Sequence, residues 1–217
     1  MKSFFITKPQ TTYSRHPLRP LFRSLARWAC RVLLRLTVSG VENVPLTGGA
    51  LLTMNHLGDA DPVMLVGYTP REVEAIGKAE ILSWPLLGAL AAAYGMMAVR
   101  RGQPDRETLA MALEALRRGE ALMLAPEGRE SKTHALEQAK GGAAFLALYS
   151  GVPIVPVAIT GTERVYSQWL RLRRPRVTLT FGAAYRLPPG ADRRAAADLM
   201  MRRIAEILPT EYRGVYQ

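Results

Sequence analysis

The chain has 217 residues, of which 48% are hydrophobic, and carries a formal net charge of +11. This length and composition exclude wholesale disorder and allow one substantial core but hardly two, while the single cysteine, Cys30, excludes an intrachain disulfide. An excess of positive charge on this scale favours an anionic partner, which is a phospholipid surface, a phosphorylated ligand or a nucleic acid.

The first predicted element is a basic amphipathic helix over residues 18–36. Eight lysines and arginines but no acidic residue precede Glu42, and arginine recurs at every fourth position from Arg19 to Arg35. The rest of the helical wheel is mostly apolar and includes Trp28, which is typical of a helix lying in a membrane interface. The alternative is a helix packed on the domain with its arginine side in water. We therefore expect a membrane-docking segment over residues 1–38 and a catalytic domain over residues 39–217.

From residue 39 onward, short apolar strands alternate with helical segments. The pattern predicts strands at 50–54, 73–76, 96–99, 121–125, 152–159 and 176–181, and helices at 62–68, 83–94, 106–118, 136–149 and 193–208. Such alternation predicts an α/β fold with a mostly parallel central sheet covered by helices on both faces. Two uncharged stretches, 81–99 and 141–162, are long enough to span a membrane. Glycines and prolines interrupt both, so each is predicted to be a buried helix followed by a buried strand.

The first candidate site is Asn-His-Leu-Gly-Asp-Ala-Asp-Pro at residues 55–62. It directly follows a predicted strand, so His56 is expected at the carboxyl edge of the sheet, where open α/β sheets place their sites. Asp61 and Pro62 are interpreted as a helix N-cap and a first-turn proline, which makes the loop short enough to bring the two side chains together. A carboxylate on one ring nitrogen raises the basicity of the other, giving a general-base dyad. A metal site of His56, Asp59 and Asp61, as in a metal-dependent lipid hydrolase, is the alternative.

The second candidate site is Ala-Pro-Glu-Gly-Arg-Glu-Ser at residues 125–131. It also follows a predicted strand, so we expect it at the same edge of the sheet as His56. Its turn exposes backbone amides, and Arg129 beside it can pair with a phosphate. The alternative is a charged loop that is merely solvated.

These motifs together resemble those of the 1-acylglycerol-3-phosphate acyltransferase family, within the glycerophospholipid acyltransferases. The family motif Asn-His-x4-Asp is matched at Asn55, His56 and Asp61. The family motif Pro-Glu-Gly-Thr-Arg-Ser is matched at Pro126, Glu127, Gly128 and Ser131. A looser match at 95–101 points to Arg100 or Arg101, and the proline-containing apolar strand at 152–159 matches the fourth family motif. The resemblance runs in order from about residue 39 to residue 187.

The resemblance implies an enzyme that moves a fatty acyl group from acyl-CoA or acyl carrier protein to a lysophospholipid hydroxyl, most directly that of 1-acylglycerol-3-phosphate. In this family His56 is expected to act as the base and Asp61 to orient it. The residues expected to hold the acceptor are Asn55, Arg101, Glu127, Gly128, Arg129 and Lys140. We expect no permanently bound cofactor, no metal and no nucleic-acid partner. The expected location is the cytoplasmic face of a membrane, peripheral or monotopic, in contact with anionic lipid.

The chain departs from the family pattern at one point. Arg129-Glu130 stands where the family has Thr-Arg, so the arginine comes one position early and a negative charge follows it. Either the acceptor lacks a phosphomonoester, or Arg129 reaches the phosphate from the neighbouring position. The alternative of another class is a non-enzymatic basic module that binds anionic lipid or nucleic acid, and this would leave His56 and Asp61 without a function.

Overall fold

The structure, a computed structural model, describes residues 17–99 and 106–217. Arg101, which is expected to bind the acceptor, lies outside these residues, as does Arg100. The strands are β1 (Arg35–Ser39), β2 (Ala50–Met54), β3 (Val73–Lys78), β4 (Met97–Val99), β5 (Ala121–Leu124), β6 (Ile154–Thr160) and β7 (Arg176–Phe181). The helices are α1 (Arg19–Leu33), α2 (Ala60–Tyr68), α3 (Pro85–Tyr94), α4 (Arg106–Arg117), α5 (Gly141–Ser150), α6 (Val165–Trp169) and α7 (Arg193–Glu206).

The strands of the described residues form one sheet in the order β1-β7-β6-β2-β5-β3-β4. Neighbouring strands are parallel except for β6 and β7, which are antiparallel. The prediction of a mostly parallel α/β sheet is therefore confirmed. The central strands β6, β2 and β5 are almost entirely apolar because each face has its own core. Leu52 packs in the core that contains α1 and α2, and Leu51 in the core that contains α4, α5 and α7.

The helical cover is incomplete at the β1–β7 end of the sheet. Val177 and Leu179 of β7 point into the core on the α1 side and are buried, whereas Arg176 and Thr178, on the opposite face, are exposed. The same alternation occurs in β1, where Arg35 is among the exposed residues. An antiparallel pair can leave one face in water, so this end of the sheet presents an open polar face.

Helix α1 ends three residues before its predicted end, and residues 35–39 form β1 instead. β1 pairs with β7 along its full length, and the Cβ-branched residues Thr37 and Val38 favour this extended conformation. The expected boundary between residues 38 and 39 thus falls inside a strand of the central sheet. Because α1 also packs against α2, the described residues 19–39 belong to the same folded unit as the domain that follows.

Helix α1 turns much of its arginine side towards the protein. Arg19 is only 2% exposed, and it pairs with Glu74 of β3, to which its Nη2 donates a hydrogen bond of 2.7 Å. Arg23 and Arg27 donate to backbone carbonyl oxygens at the C-terminal end of α2, where a helix leaves its carbonyls unsatisfied. The prediction that these arginines face water or membrane is therefore wrong, because Glu74 and α2 supply partners that are remote in sequence.

The apolar side of α1 consequently faces outward. Leu21, Leu25 and Trp28 are 64%, 50% and 62% exposed. Helix α3, which the sequence predicts to be buried, exposes Leu86 and Leu87. The prediction of burial is confirmed for β6 but only for the inner side of α5, since Tyr149 of α5 is 68% exposed. We call the following residues the apolar outer surface: Leu18, which directly precedes α1, Leu21, Leu25, Trp28 and Val32 of α1, and Leu86, Leu87 and Leu90 of α3. Among the helices of the described residues, none combines the length and the hydropathy needed to cross a membrane.

Candidate active site

The carboxylate of Asp61 organises the loop that follows β2. Its Oδ2 accepts hydrogen bonds from His56 Nδ1 at 2.8 Å and from the backbone N–H groups of Leu57 and Gly58 at 2.6 and 3.0 Å. The side chain is fully buried and lies in the first turn of α2, where the helix dipole favours a negative charge. Helix α2 begins at Ala60, so the prediction that Asp61 is its N-cap is wrong. The carboxylate binds the backbone of the loop before the helix instead.

The imidazole of His56 is held in one orientation by this carboxylate. Its side chain is 17% exposed, and its Nε2 has no hydrogen-bond partner among residues 17–99 and 106–217. Burial lowers the pKa of His56, but the hydrogen bond and charge of Asp61, with the charges of Glu130 and Asp59, outweigh burial and raise the pKa above its ordinary value. With Nδ1–H donating to Asp61, Nε2 is the free basic nitrogen.

The side chain of Asn55, which the resemblance places among the acceptor-binding residues, is bonded to the neighbouring strand. Its side chain is 2% exposed, and its amide both donates to the carbonyl oxygen of Ile159 and accepts from the N–H of Ile159, each at 2.8 Å. These two bonds continue the pairing of β2 with β6 beyond its last residues, Met54 and Val157. The buried amide thus fixes the end of β2 and so the position of His56, while contact of Asn55 with the acceptor stays a prediction.

The loop after β5 lies against the His56 loop, because the N–H of Ser131 donates to the carbonyl oxygen of His56 at 2.8 Å. Glu127 in this loop is 2% exposed, and its Oε1 accepts a bond from the N–H of Glu137 at 3.3 Å. Its Oε2 is buried without a hydrogen-bond partner in the part of the chain described. Burial raises the pKa of Glu127 to about 7, although the N–H of Glu137 opposes that rise. Both protonation states of Glu127 are thus populated near neutral pH.

Three further predicted site residues belong to the same loop. The guanidinium of Arg129 forms an ion pair with Glu137, which partly neutralises it. The backbone of Gly128 has φ +69°, and a Cβ at this position would lie 3.1 Å from Cδ of Lys140, so glycine suits both the conformation and the space. The structure therefore brings Glu127, Gly128, Arg129 and Lys140 together beside the His56 loop.

One contributor to the site was not foreseen from the sequence. Tyr166 of α6 donates its hydroxyl hydrogen to Asp59 Oδ2 at 3.0 Å. Tyr166, Val63 and Leu87 are among the residues that line a largely apolar groove of about 170 Å³ between α1, α2, α3 and α6, and Asp59 lies at its border. Tyr166 lies about a hundred residues after the His56 motif, and the only sequence feature that marks it is the Tyr-x-x-Trp spacing of α6.

The side chains of the alternative metal site, His56, Asp59 and Asp61, are not arranged as a set of metal ligands. Within the described ranges, no three or more His, Cys, Asp or Glu side chains are grouped so that they could hold a metal ion. Instead, Oδ2 of Asp61 accepts from N–H donors, and Oδ2 of Asp59 accepts from the hydroxyl of Tyr166.

Comparison with known proteins gives a consistent set of relatives. A family model described as Acyltransferase matches residues 35–160. The chain is 34% identical over 147 residues to a lyso-ornithine lipid O-acyltransferase of Pseudomonas aeruginosa, a match that covers 65% of this chain and 55% of the relative. It is 29% identical over 136 residues to a 1-acyl-sn-glycerol-3-phosphate acyltransferase of Cocos nucifera, covering 61% of this chain and 44% of the relative.

A solved structure shares the fold. The 1-acyl-sn-glycerophosphate (LPA) acyltransferase PlsC from Thermotoga maritima superimposes with a TM-score of 0.66 at 21% sequence identity, over 88% of this chain and 80% of that one. The matches to the curated relatives named above span only about half of those proteins' length.

We expect the substitution Glu127→Gln to change the pH dependence of stability. The pKa of Glu127 is raised in the folded protein, so its stabilising contribution is complete below its unfolded value and is lost as the pH rises through about 7. Relative to Glu127→Gln, the wild type should lose on the order of 3 kcal/mol of unfolding free energy between about pH 5 and about pH 8. Urea denaturation at a series of pH values measures this difference. Parallel curves for the two proteins would contradict a buried, proton-binding Glu127.

Proposed function

Since the acyltransferase family model covers more than half of its residues, this chain belongs to the acyltransferase family, and we propose that it transfers a fatty acyl group from a thioester donor to the hydroxyl of a lyso-lipid. The proposed donor is acyl-CoA or acyl carrier protein, and the first proposed acceptor is 1-acylglycerol-3-phosphate, which would give phosphatidic acid. The observation that carries the proposal is the 2.8 Å contact of His56 Nδ1 with Asp61 Oδ2, which leaves Nε2 free beside Glu127 and its loop.

In the proposed mechanism, His56 Nε2 takes the proton of the acceptor hydroxyl as the hydroxyl oxygen attacks the thioester carbonyl. Asp61 stabilises the imidazolium that forms. The tetrahedral intermediate then collapses, the carbon–sulfur bond breaks, and the thiolate leaving group takes the proton back from His56. Ester and thiol are the products, and His56 returns to its neutral state.

The reaction proceeds by direct transfer in this proposal, without an acyl-enzyme. The hydroxyl of Ser131 donates to the carbonyl oxygen of Ala135 at 2.6 Å and is thus engaged in the loop. Cys30 is buried in the core, and burial raises the pKa of its thiol to about 11. Neither side chain is prepared to act as a nucleophile.

The charges around His56 favour a second candidate acceptor, a lyso-lipid with an amine-bearing headgroup and no phosphate. Glu130 and Asp59 are exposed and close enough to His56 to raise its pKa, while Arg129 is paired with Glu137. An ammonium group would be attracted to this environment and a phosphate repelled by it. The similarity to a lyso-ornithine lipid O-acyltransferase points the same way, because ornithine carries amines.

We further propose that the protein lies on a membrane through its apolar outer surface, with α1 and α3 in the interface. Fully burying a leucine or tryptophan side chain contributes about 1.5–3 kcal/mol, so several such residues suffice for reversible attachment. The groove beside Asp59 is lined by Leu33 of α1 and by Leu87, which belongs to this surface, and this supports an acyl-chain path from the bilayer to His56.

Substitution of either residue of the His56–Asp61 dyad should strongly reduce transfer. We expect His56→Ala and Asp61→Asn to lower kcat/KM by about 10²–10⁴, measured as thiol release from acyl-CoA in the presence of lysophosphatidic acid. Because the base acts in its neutral form, kcat/KM of the wild type should fall on the acid side with an apparent pKa above the ordinary histidine value. In Asp61→Asn, the remaining activity should fall with a lower apparent pKa. His134→Asn, an exposed histidine of the neighbouring loop, is the control. Full activity of His56→Ala would refute the mechanism.

Removal of the charge at Glu130 should shift acceptor preference. We expect Glu130→Gln to raise the kcat/KM ratio of lysophosphatidic acid to lyso-ornithine lipid by about 2- to 10-fold at low ionic strength. Monoacylglycerol, which has neither a phosphate nor an ammonium group, is the reference acceptor. The control variant is Glu42→Gln, which removes an exposed acid from a segment remote from His56. The wild-type ranking of the three acceptors decides between the two candidates. An unchanged ratio in Glu130→Gln would mean that the headgroup does not approach this side chain.

Polar substitution of the apolar outer surface should weaken membrane binding. We expect Leu25→Gln combined with Trp28→Gln to reduce partitioning onto phospholipid vesicles by about 10-fold or more. The control is Leu46→Gln with Val215→Gln, which alters two apolar residues that are exposed elsewhere on the protein. Vesicle sedimentation measures the partitioning. Equal losses in both variants would show that α1 is not the element in contact with lipid.

A further inference from the structure

An open cavity of about 720 Å³ lies at the end of the sheet formed by β1, β7 and β6, where its lining includes Arg176 and Thr178 of the open polar face as well as Val177 and Tyr68 from the α1 side. None of the steps proposed above uses it. The charged side chains that line it are five arginines and one glutamate: Arg31, Arg35, Arg164, Arg174, Arg176 and Glu211. A concave surface with this excess of guanidinium groups is suited to an anion that carries more than one negative charge.

The floor of the cavity combines paired arginines with threonine hydroxyls. Arg35 of β1 stands opposite Arg176 of β7, and in the described part of the chain neither forms an ion pair with a carboxylate. Like charges on directly opposed strand positions destabilise a sheet unless something neutralises them. Next to this pair, Thr178 lies opposite both Thr37 and Thr160, so three hydroxyl-bearing residues cross adjacent strands.

Two further arginines stand at the rim. Arg174 donates to the backbone carbonyl oxygens of Arg31 and Leu34 at the end of α1, which fixes its guanidinium in place. Arg164 pairs with Glu163 at 3.1 Å but remains 69% exposed. Guanidinium groups bind phosphate oxygens through paired N–H donors, and threonine hydroxyls can add single bonds. The cavity thus offers the donor set of a site for several phosphate groups.

The distance from the proposed base restricts which substrate can fill this cavity. In the strand order, β6 separates β2 from β7, and β1 comes next. With a strand spacing of about 4.8 Å, Arg176 and Arg35 lie roughly 10 and 14 Å to the side of the strand that delivers His56, at the same edge of the sheet. An acceptor such as 1-acylglycerol-3-phosphate has its phosphate only a few bonds from the reacting hydroxyl, so it cannot occupy both places. A thioester of CoA can, because the pantetheine arm separates its phosphates from the reacting carbonyl.

We propose that this cavity binds the phosphate groups of the acyl donor, that is, the 3′-phospho-ADP end of CoA. The inference rests on the proposed acyl transfer, whose thioester donor it specifies. Arg35 and Arg176 form the base of the site and are neutralised by the bound phosphates, and Arg164 and Arg174 close its rim. The volume lies within the range of about 300–1,000 Å³ that is usual for small-ligand sites.

The test is the double substitution Arg35→Gln and Arg176→Gln, with Arg117→Gln and Arg194→Gln as a control that removes the same charge from exposed sites on α4 and α7. Two donors are compared: palmitoyl-CoA and S-palmitoyl-pantetheine, which lacks the nucleotide and its phosphates. We expect the KM for palmitoyl-CoA to rise by about 10-fold or more in the test variant, with kcat unchanged, and the KM for the pantetheine thioester to stay the same.

A binding measurement separates this proposal from the catalytic one, because it needs no turnover. Calorimetric titration with adenosine 3′,5′-bisphosphate at fixed ionic strength should detect binding to the wild type and the control, and at least 10-fold weaker binding to the test variant. Absence of turnover with intact bisphosphate binding would refute the acyl transfer and leave the site in place.

Three results would overturn the proposal. The first is an equal effect of the test substitutions on both donors. The second is an unchanged KM for palmitoyl-CoA together with weaker binding to anionic vesicles, which would assign the cavity to lipid headgroups. The third is turnover of acyl carrier protein thioesters alone, without bisphosphate binding.

Discussion

A single buried carboxylate oxygen, Oδ2 of Asp61, is the constraint on which the site depends. Three N–H groups converge on it, one from the imidazole of His56 and two from the backbone of the same loop. The two backbone bonds hold the oxygen in place, so the third bond determines the orientation and tautomer of the imidazole. An isolated carboxylate would be costly in this fully buried position, and the three donors together with the N-terminus of α2 offset that cost. The basicity of His56 thus follows from how this loop closes.

The sheet supplies the rest of the arrangement. β2 and β5 are parallel neighbours, so the loops that follow them emerge at one edge, and His56 and Glu127 meet although they are far apart in the chain. The side-chain amide of Asn55 extends the pairing of β2 with β6 by one residue and so fixes the end of β2. The two carboxylates of the site have opposite surroundings: Asp61 receives donors on one oxygen, whereas burial without sufficient donors raises the pKa of Glu127 to about 7.

The sequence was sufficient for features that depend on neighbouring residues. The contact of His56 with Asp61 needs only a short loop, and the α/β alternation needs only local periodicity. Features that depend on distant partners were missed or inverted. Arg19, Arg23 and Arg27 of α1 were expected to face outward because their partners, Glu74 and the carbonyl groups of α2, cannot be identified from the helix itself. The bonding of Asn55 could not be predicted either, because its partner, Ile159, lies about a hundred residues away.

The arginines that join α1 to α2 connect the exposed apolar side of α1 with the carboxylate that holds His56. Arg23 and Arg27 donate hydrogen bonds to carbonyl groups at the C-terminal end of α2, while Asp61 lies in the first turn at the opposite end. The nine residues of α2 form a helix about 13 Å long that joins these two ends. In the membrane-bound state proposed above, a displacement of α1 would act through α2 on the carboxylate that orients His56. The proposed docking of α1 on lipid and the orientation of the imidazole would then vary together.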